Sequence, residues 1–111
     1  MTPNRSKTDF PRAHAVMAGL DGLWSRVRAE GLDLPSLIDL RCLSREYAFA
    51  CRDTEATQQT IELEQWAEVL YRQTRAHAAR CDRRFVEKVI GGLLRRMGRA
   101  VDSVPSARQA A

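Results

Sequence analysis

The sequence predicts an all-α fold, a compact bundle of four to five helices. Apolar residues recur at spacings of three and four along most of the chain, which is typical of amphipathic helices around a shared core. Aspartate or serine residues that can cap helices precede several of these segments. Because 111 residues suit one small domain, we expect a single helical domain over residues 9–101 with disordered tails at 1–8 and 102–111.

The first predicted helix runs from about Pro11 to Glu30. Thr8 or Asp9 can cap its first turn, where Pro11 is tolerated because that position needs no backbone N–H. Gly31 follows and can adopt the left-handed conformation that ends many helices. The apolar stripe of this helix consists of Val16, Met17, Leu20, Leu23, Trp24 and Val27.

The next segment predicts two short helices. Asp33 can cap the first of them, and Ser44 can cap the second, which is expected to end near Cys51. Tyr47, Phe49 and Cys51 alternate with alanines, so a short strand is the competing interpretation of that stretch. The apolar residues of the first short helix are Leu34, Leu37, Ile38 and Leu40.

Two longer helices are expected after a polar connection over residues 53–59. The fourth helix is predicted from about Thr60 to Arg80, with glutamates early and arginines late, an order that suits the helix dipole. Asp82 can cap the fifth, which is predicted to end near Val101. One face of the fourth helix carries Leu63, Trp66, Ala67, Leu70, Thr74, His77 and Cys81.

The charge is distributed unevenly along the chain. Residues 1–70 hold 8 Lys/Arg and 11 Asp/Glu, a net charge of −3, whereas residues 71–111 hold 10 and 3, a net charge of +7. Arginine supplies 16 of the 18 basic residues, which favours forked contacts to phosphate or carboxylate, although a GC-rich genome would produce the same bias. This difference in charge indicates an anionic partner for residues 71–111, or head-to-tail contact between two copies of the chain.

Residues 34–53, LPSLIDLRCLSREYAFACRD, resemble the DNA-binding segment of helix-turn-helix regulators. In that resemblance Cys42 lies at the turn, and the residues after it open a recognition helix whose polar side chains reach base edges and phosphates in the major groove. A pair of core helices joined by a tight turn is the structural alternative. The residues that the resemblance places at the DNA are Ser44, Arg45, Glu46 and Arg52.

The predicted helix over residues 82–101 has an apolar face and a cationic face. Gly91 and Gly92 lie in or beside the cationic sector and together cost roughly 2 kcal/mol relative to alanine, so close approach of a phosphate backbone or a partner helix is one explanation for them. The pattern indicates phosphate binding, and a solvated arginine face is the alternative. The cations that share the sector are Arg84, Lys88, Arg95 and Arg99.

Several other classes of function receive little support from the sequence. His77 and Cys81 have the four-residue spacing of two helical zinc ligands, but no Cys-x-x-Cys pair accompanies them, so no metal and no cofactor are expected. Neither a glycine-rich phosphate loop nor a nucleophile with its base is evident, so we do not expect an enzyme. An odd cysteine count, the lack of a secretory signal and the lack of long apolar runs predict a cytoplasmic protein that does not enter membranes.

The function expected from these patterns is a small, dimeric DNA-binding transcriptional regulator. It would read DNA with residues 34–52 and hold phosphates with the basic face of residues 82–101. The alternative is a helical adaptor, chaperone or small subunit whose basic helix binds an acidic protein. Exposure of Arg45, Glu46 and Phe49 on a projecting helix would favour DNA binding, and burial or a strand there would favour the adaptor.

Overall fold

The computed structural model describes residues 8–102, which form four α-helices and confirm the all-α prediction. The helices are α1 (Phe10–Glu30), α2 (Leu34–Cys51), α3 (Thr54–Arg75) and α4 (Arg80–Asp102). Most of the two expected tails lies outside the described residues. Thr8, which we assigned to the first tail, is buried, and its Oγ1 donates a hydrogen bond of 3.0 Å to the carbonyl oxygen of Cys51.

Helix α1 begins and ends as its sequence predicts. The Asp9 carboxylate accepts a hydrogen bond from the backbone N–H of Arg12 at 3.1 Å, which is the geometry of an N-cap. Gly31 ends the helix with a φ of 97°, and its N–H donates to the carbonyl oxygen of Val27.

The prediction of two short helices, or of a strand, in the region of α2 is wrong. Residues 34–51 form one continuous helix, so the turn expected at Cys42 does not exist. The reason is visible in the buried positions, whose spacings of three and four residues continue through the predicted break, with no glycine or proline to interrupt them. Ser44 bonds within the helix, its Oγ donating to the carbonyl oxygen of Arg41. These buried positions are Leu37, Leu40, Ser44, Tyr47 and Cys51.

Helix α3 starts earlier and ends earlier than predicted. Asp53 caps it by accepting from the N–H of Ala56 at 2.6 Å, so the expected polar connection over residues 53–59 shrinks to two residues. It ends at Arg75 because the chain turns at His77, whose φ of 53° is left-handed. The following helix, α4, begins two residues before the predicted cap Asp82.

The four helices surround one apolar core. Each helix packs against two others, and α4 closes the bundle by packing against both α1 and α3. Successive helices must run antiparallel because only two to four residues connect them. Among the described residues no helix is long and apolar enough to cross a membrane. The most deeply buried large side chains include Leu20, Leu40, Tyr47, Leu63, Ile90, Leu93, Met97 and Val101.

Buried polar contacts hold α2 against its neighbours. The Tyr47 hydroxyl donates to the carbonyl oxygen of Met97 in α4 at 3.3 Å and lies 3.5 Å from Gln59 Oε1 in α3. Thr60 Oγ1 donates to the carbonyl oxygen of Ser44 at 2.9 Å. These bonds give polar atoms in the core a partner and fix the register of the packed helices.

Candidate nucleic-acid interface

Three of the four residues predicted to contact DNA, Ser44, Arg45 and Glu46, lie in the middle of α2 and not at the start of a recognition helix. Ser44 is fully buried between α2 and α3, and its Oγ lies 3.4 Å from Glu64 Oε2. A side chain in that position cannot reach a base edge without unpacking the bundle. The role expected for Ser44 therefore has no support in the geometry, and Ser44 is a packing residue of the α2–α3 contact.

Arg45 and Glu46 are exposed but engaged with neighbouring helices. The Arg45 guanidinium contacts the Glu64 carboxylate twice, at 3.0 Å from Nε and 3.3 Å from Nη2, and these hydrogen bonds raise the pKa of Arg45. Glu46 accepts from Arg12 Nη2 at 2.8 Å. Both ion pairs are open to solvent and contribute little to stability. Each must nevertheless break before its α2 residue can contact DNA.

Arg52 ends α2 and does not continue it. Its φ of 57° and ψ of 35° place it in the left-handed region, and its N–H donates to the carbonyl oxygen of Ala48. The side chain is exposed. Contact of Arg45, Glu46 and Arg52 with DNA stays a prediction. The structure has neither the turn nor the free helix start that the resemblance implied for these residues.

Five exposed basic residues lie on one side of α4, and we name this surface the α4 cationic face. At 100° per residue its members occupy a sector of about 100°, and over nineteen residues they extend for about 28 Å. The sequence prediction missed Arg80 because it assigned that residue to the preceding helix. The members are Arg80, Arg84, Lys88, Arg95 and Arg99.

The cations of this face have no carboxylate partner among residues 8–102. The ion pairs in the described part of the chain instead join the arginines Arg12, Arg41, Arg45 and Arg72 to glutamates. His14 Nδ1 lies 3.5 Å from Asp102 Oδ1. The guanidinium of Arg95 folds back toward the glycines of α4, with its Nη1 3.6 Å from where a Cβ of Gly91 would lie. The positive charge of α4 is thus left available to an external anion.

A groove of about 200 Å³ separates the α4 cationic face from α1. Trp24 and Arg28 from α1 form one wall, and the sequence prediction missed both of them as candidate site residues. The sequence indicated the α4 side of this groove through its cations and the mid-helix Gly91, but gave no signal for the α1 side. Arg84, Glu87, Lys88, Gly91 and Arg95 of α4 form the other wall.

A second surface of the bundle carries exposed apolar side chains. Phe49 is 71% exposed and Ile61 is 44% exposed, and both line a groove between α2 and α3 beside the Arg45–Glu64 ion pair. Exposed large apolar residues in a cluster are typical of a surface that contacts another protein. Leu34 and Ile38 are exposed farther toward the start of α2.

The residues considered for a metal do not assemble a site. His77 lies in the connection between α3 and α4, so it does not share a helix with Cys81 as the sequence suggested. Within residues 8–102 no three His, Cys, Asp or Glu side chains lie close enough together to bind a metal ion. His77 and Cys81 are both exposed.

Comparison of the chain with protein-family models, with curated proteins and with solved structures found no match.

Proposed function

We propose that this protein is a small DNA-binding protein that binds the phosphate backbone with the α4 cationic face. The observation that carries the proposal is the row of five exposed cations on α4, none of which has a carboxylate partner among the described residues. The net charge of +7 in residues 71–111 supports the same proposal, since α4 lies within this stretch of the sequence.

The chemistry of the face suits phosphates in particular. Four of its five members are arginines, whose planar guanidinium groups donate paired hydrogen bonds to phosphate oxygens. A row about 28 Å long can follow several consecutive phosphates of a duplex. Contacts of this kind position a protein on DNA without selecting a sequence. We therefore propose binding with little sequence preference, and the regulatory role and the dimer remain predictions beyond it.

The test is fluorescence anisotropy of the protein with a labelled random duplex across a salt series. We expect the logarithm of the association constant to fall with the logarithm of salt concentration with a slope of about −4.5, as five phosphate contacts would give. Reversing two charges, Arg95→Glu with Arg99→Glu, is expected to weaken binding to all sequences and to make that slope shallower by about 2.

A matched control separates the α4 cationic face from general electrostatics. Arg26→Glu with Arg72→Glu changes the net charge by the same amount, and neither residue belongs to the α4 cationic face. Arg26 is exposed beside a groove between α1 and α2, and Arg72 is exposed on α3, where it pairs with Glu68. We expect this variant to keep most of the affinity and most of the salt slope. If both double variants weaken binding equally, the net charge and not the α4 face governs affinity. If the native protein does not bind DNA at low salt, the proposal is wrong.

A helical adaptor is the second candidate function. Exposure of Phe49 was expected to favour DNA binding only on a projecting helix, and α2 instead packs against α1 and α3. The exposed apolar side chains of α2 and α3 therefore favour the adaptor. Phe49 and Ile61 would gain from burial against a protein partner, which DNA phosphates cannot provide. In that case the α4 cationic face would meet an acidic protein surface. The two candidates differ in the anisotropy experiment, because the adaptor predicts no binding to random duplex at low salt.

A further inference from the structure

The groove between α1 and α4 contains a hydrogen-bond donor without a protein acceptor. Trp24 is only 9% exposed, but its indole Nε1 is open to solvent in the groove, and no residue among 8–102 accepts a hydrogen bond from it. An indole N–H can only donate, so an acceptor that enters the groove can receive this hydrogen bond. Nε1 lies 3.7 Å from where a Cβ of Gly91 would lie, which places the donor at the α4 wall of the groove.

Gly91 keeps this part of the groove open. The nearest atoms to a Cβ at this position would be Arg95 Nη1 at 3.6 Å and Trp24 Nε1 at 3.7 Å, which are ordinary contact distances. Packing therefore does not exclude alanine, and helix propensity favours alanine over glycine in the middle of a helix. Because Gly91 has no methyl group, the space between the Trp24 indole N–H and the Arg95 guanidinium stays free, and an anion there can contact both.

The charges around the groove favour an anion. Four cations line it, Arg28 from α1 and three from α4, against the single half-buried carboxylate of Glu87. None of the four forms an ion pair with a described residue. At about 30 Å³ per water molecule, a groove of about 200 Å³ has room for a tetrahedral oxyanion together with a few waters.

We propose that this groove is a phosphate-binding site, in which Trp24 Nε1 donates a hydrogen bond to one phosphate oxygen while Arg84, Lys88 and Arg95 neutralise its charge. The phosphate is one of the DNA backbone, and this identification of the ligand rests on the proposed function. The chemistry is shared with free inorganic phosphate, which serves as a separate probe. The site would fix one phosphate relative to α1, and the rest of the α4 cationic face would follow the strand.

The indole N–H resonances in a ¹⁵N-correlated NMR spectrum test the site directly. The chain has two tryptophans, and Trp66→Phe assigns the remaining signal to Trp24. We expect the Trp24 signal to shift and saturate on titration with a short DNA duplex, and to shift in the same direction with inorganic phosphate at constant ionic strength. Trp66, which contacts Phe85 and does not line the groove, is the internal control and is expected to stay in place.

Two variants test the site by affinity for the same duplex. Trp24→Phe removes the donor and is expected to weaken DNA binding about tenfold, the loss typical of a hydrogen bond to a charged group, whereas Trp66→Phe is expected to leave binding unchanged. Gly91→Ala is expected to weaken binding while keeping or raising thermal stability, so that its loss of affinity cannot come from unfolding.

The outcomes separate this inference from the proposed function. DNA binding with an unmoved Trp24 signal and native affinity in Gly91→Ala would overturn the groove site and leave the proposed function standing. A saturable shift with inorganic phosphate that Gly91→Ala reduces, without any binding of DNA, would support a phosphate site and overturn DNA as its source. No shift with either probe would overturn the site whatever the anisotropy shows.

Discussion

At the scale of single residues, three aspartates determine where helices begin. Asp9, Asp33 and Asp53 each accept a hydrogen bond from the backbone N–H three residues later, at distances of 3.1, 2.8 and 2.6 Å. A carboxylate at this position pairs an otherwise unpaired N–H and also suits the positive end of the helix dipole. For Asp33 the hydrogen bonds from Ser36, first from its backbone N–H, hold the pKa of the carboxyl below its ordinary value of 3.8.

The lowered pKa of Asp33 predicts a pH-dependent contribution to stability. Because the folded state binds the proton less readily than the unfolded state, ionised Asp33 stabilises the fold above about pH 4, and this contribution is lost as pH falls through the folded pKa. Asp33→Asn keeps a capping side chain but removes the charge. We expect the native protein to be more stable than this variant at neutral pH, and the difference to shrink toward zero on acidification.

Urea denaturation of both proteins at a series of pH values measures the effect of Asp33. Other carboxyl groups titrate in both proteins, so only the difference between their free energies of unfolding is informative. A difference that stays constant from about pH 7 to about pH 2 would show that the charge of Asp33 does not contribute.

At the scale of elements, α2 is the helix that differs most from its prediction, because it is continuous where a helix-turn-helix was expected. Its continuity puts Ser44 in the core and pairs Arg45 and Glu46 with residues of α3 and α1. The outer side of α2 is left with Phe49 and other exposed apolar side chains, while the row of five cations without a carboxylate partner lies on α4. The structure thus separates an apolar surface on α2 and α3 from a cationic surface on α4.

The continuity of α2 can be tested at the predicted turn. Cys42 is exposed in the middle of the helix, so we expect Cys42→Gly to be less stable than Cys42→Ala by about 1 kcal/mol, the difference in helix propensity. A turn that required a left-handed residue would give the opposite order, because glycine adopts that conformation without strain. Free energies of unfolding of the two variants, measured in urea under reducing conditions, decide between these orders.

At the scale of the whole molecule, the four helices share one core, so we expect them to unfold together. Each helix packs against two neighbours, and Tyr47 of α2 reaches residues of both α3 and α4. A domain of this size with a single core is expected to unfold in one cooperative transition. The α1–α4 groove therefore depends on the bundle as a unit, because its two walls come from helices at opposite ends of the chain.

Tyr47→Phe tests this cooperativity. The variant loses the buried hydrogen bond to the Met97 carbonyl oxygen and is expected to be less stable by about 1 kcal/mol. Helix content by circular dichroism and the environment of the tryptophans by fluorescence should shift to the same new midpoint. Tyr71→Phe, which removes only a solvent-exposed contact with Arg75, is the control and should change the midpoint little. Separate midpoints for the two probes would contradict a single core.

Several features of the protein follow from local sequence. The helical spacing of apolar residues, the aspartate caps and Gly31 predicted an all-α fold, the bounds of α1 and the cationic sector of α4, because each depends on residues within a few turns of one another. The same local evidence predicted two short helices where one exists. Ser44 can cap a helix or lie inside one, and neighbouring residues do not distinguish the two.

Only the tertiary structure decided which polar residues are engaged and which are available. Arg45 meets Glu64 across nineteen positions, and Arg12 meets Glu46 across thirty-four, so their pairing depends on how helices pack. Trp24 and Gly91 are farther apart still in the sequence, yet together they form one groove. The physical reason is that periodicity determines which face of each helix is apolar, whereas the partners of its charged residues are set by the neighbouring helices in the bundle.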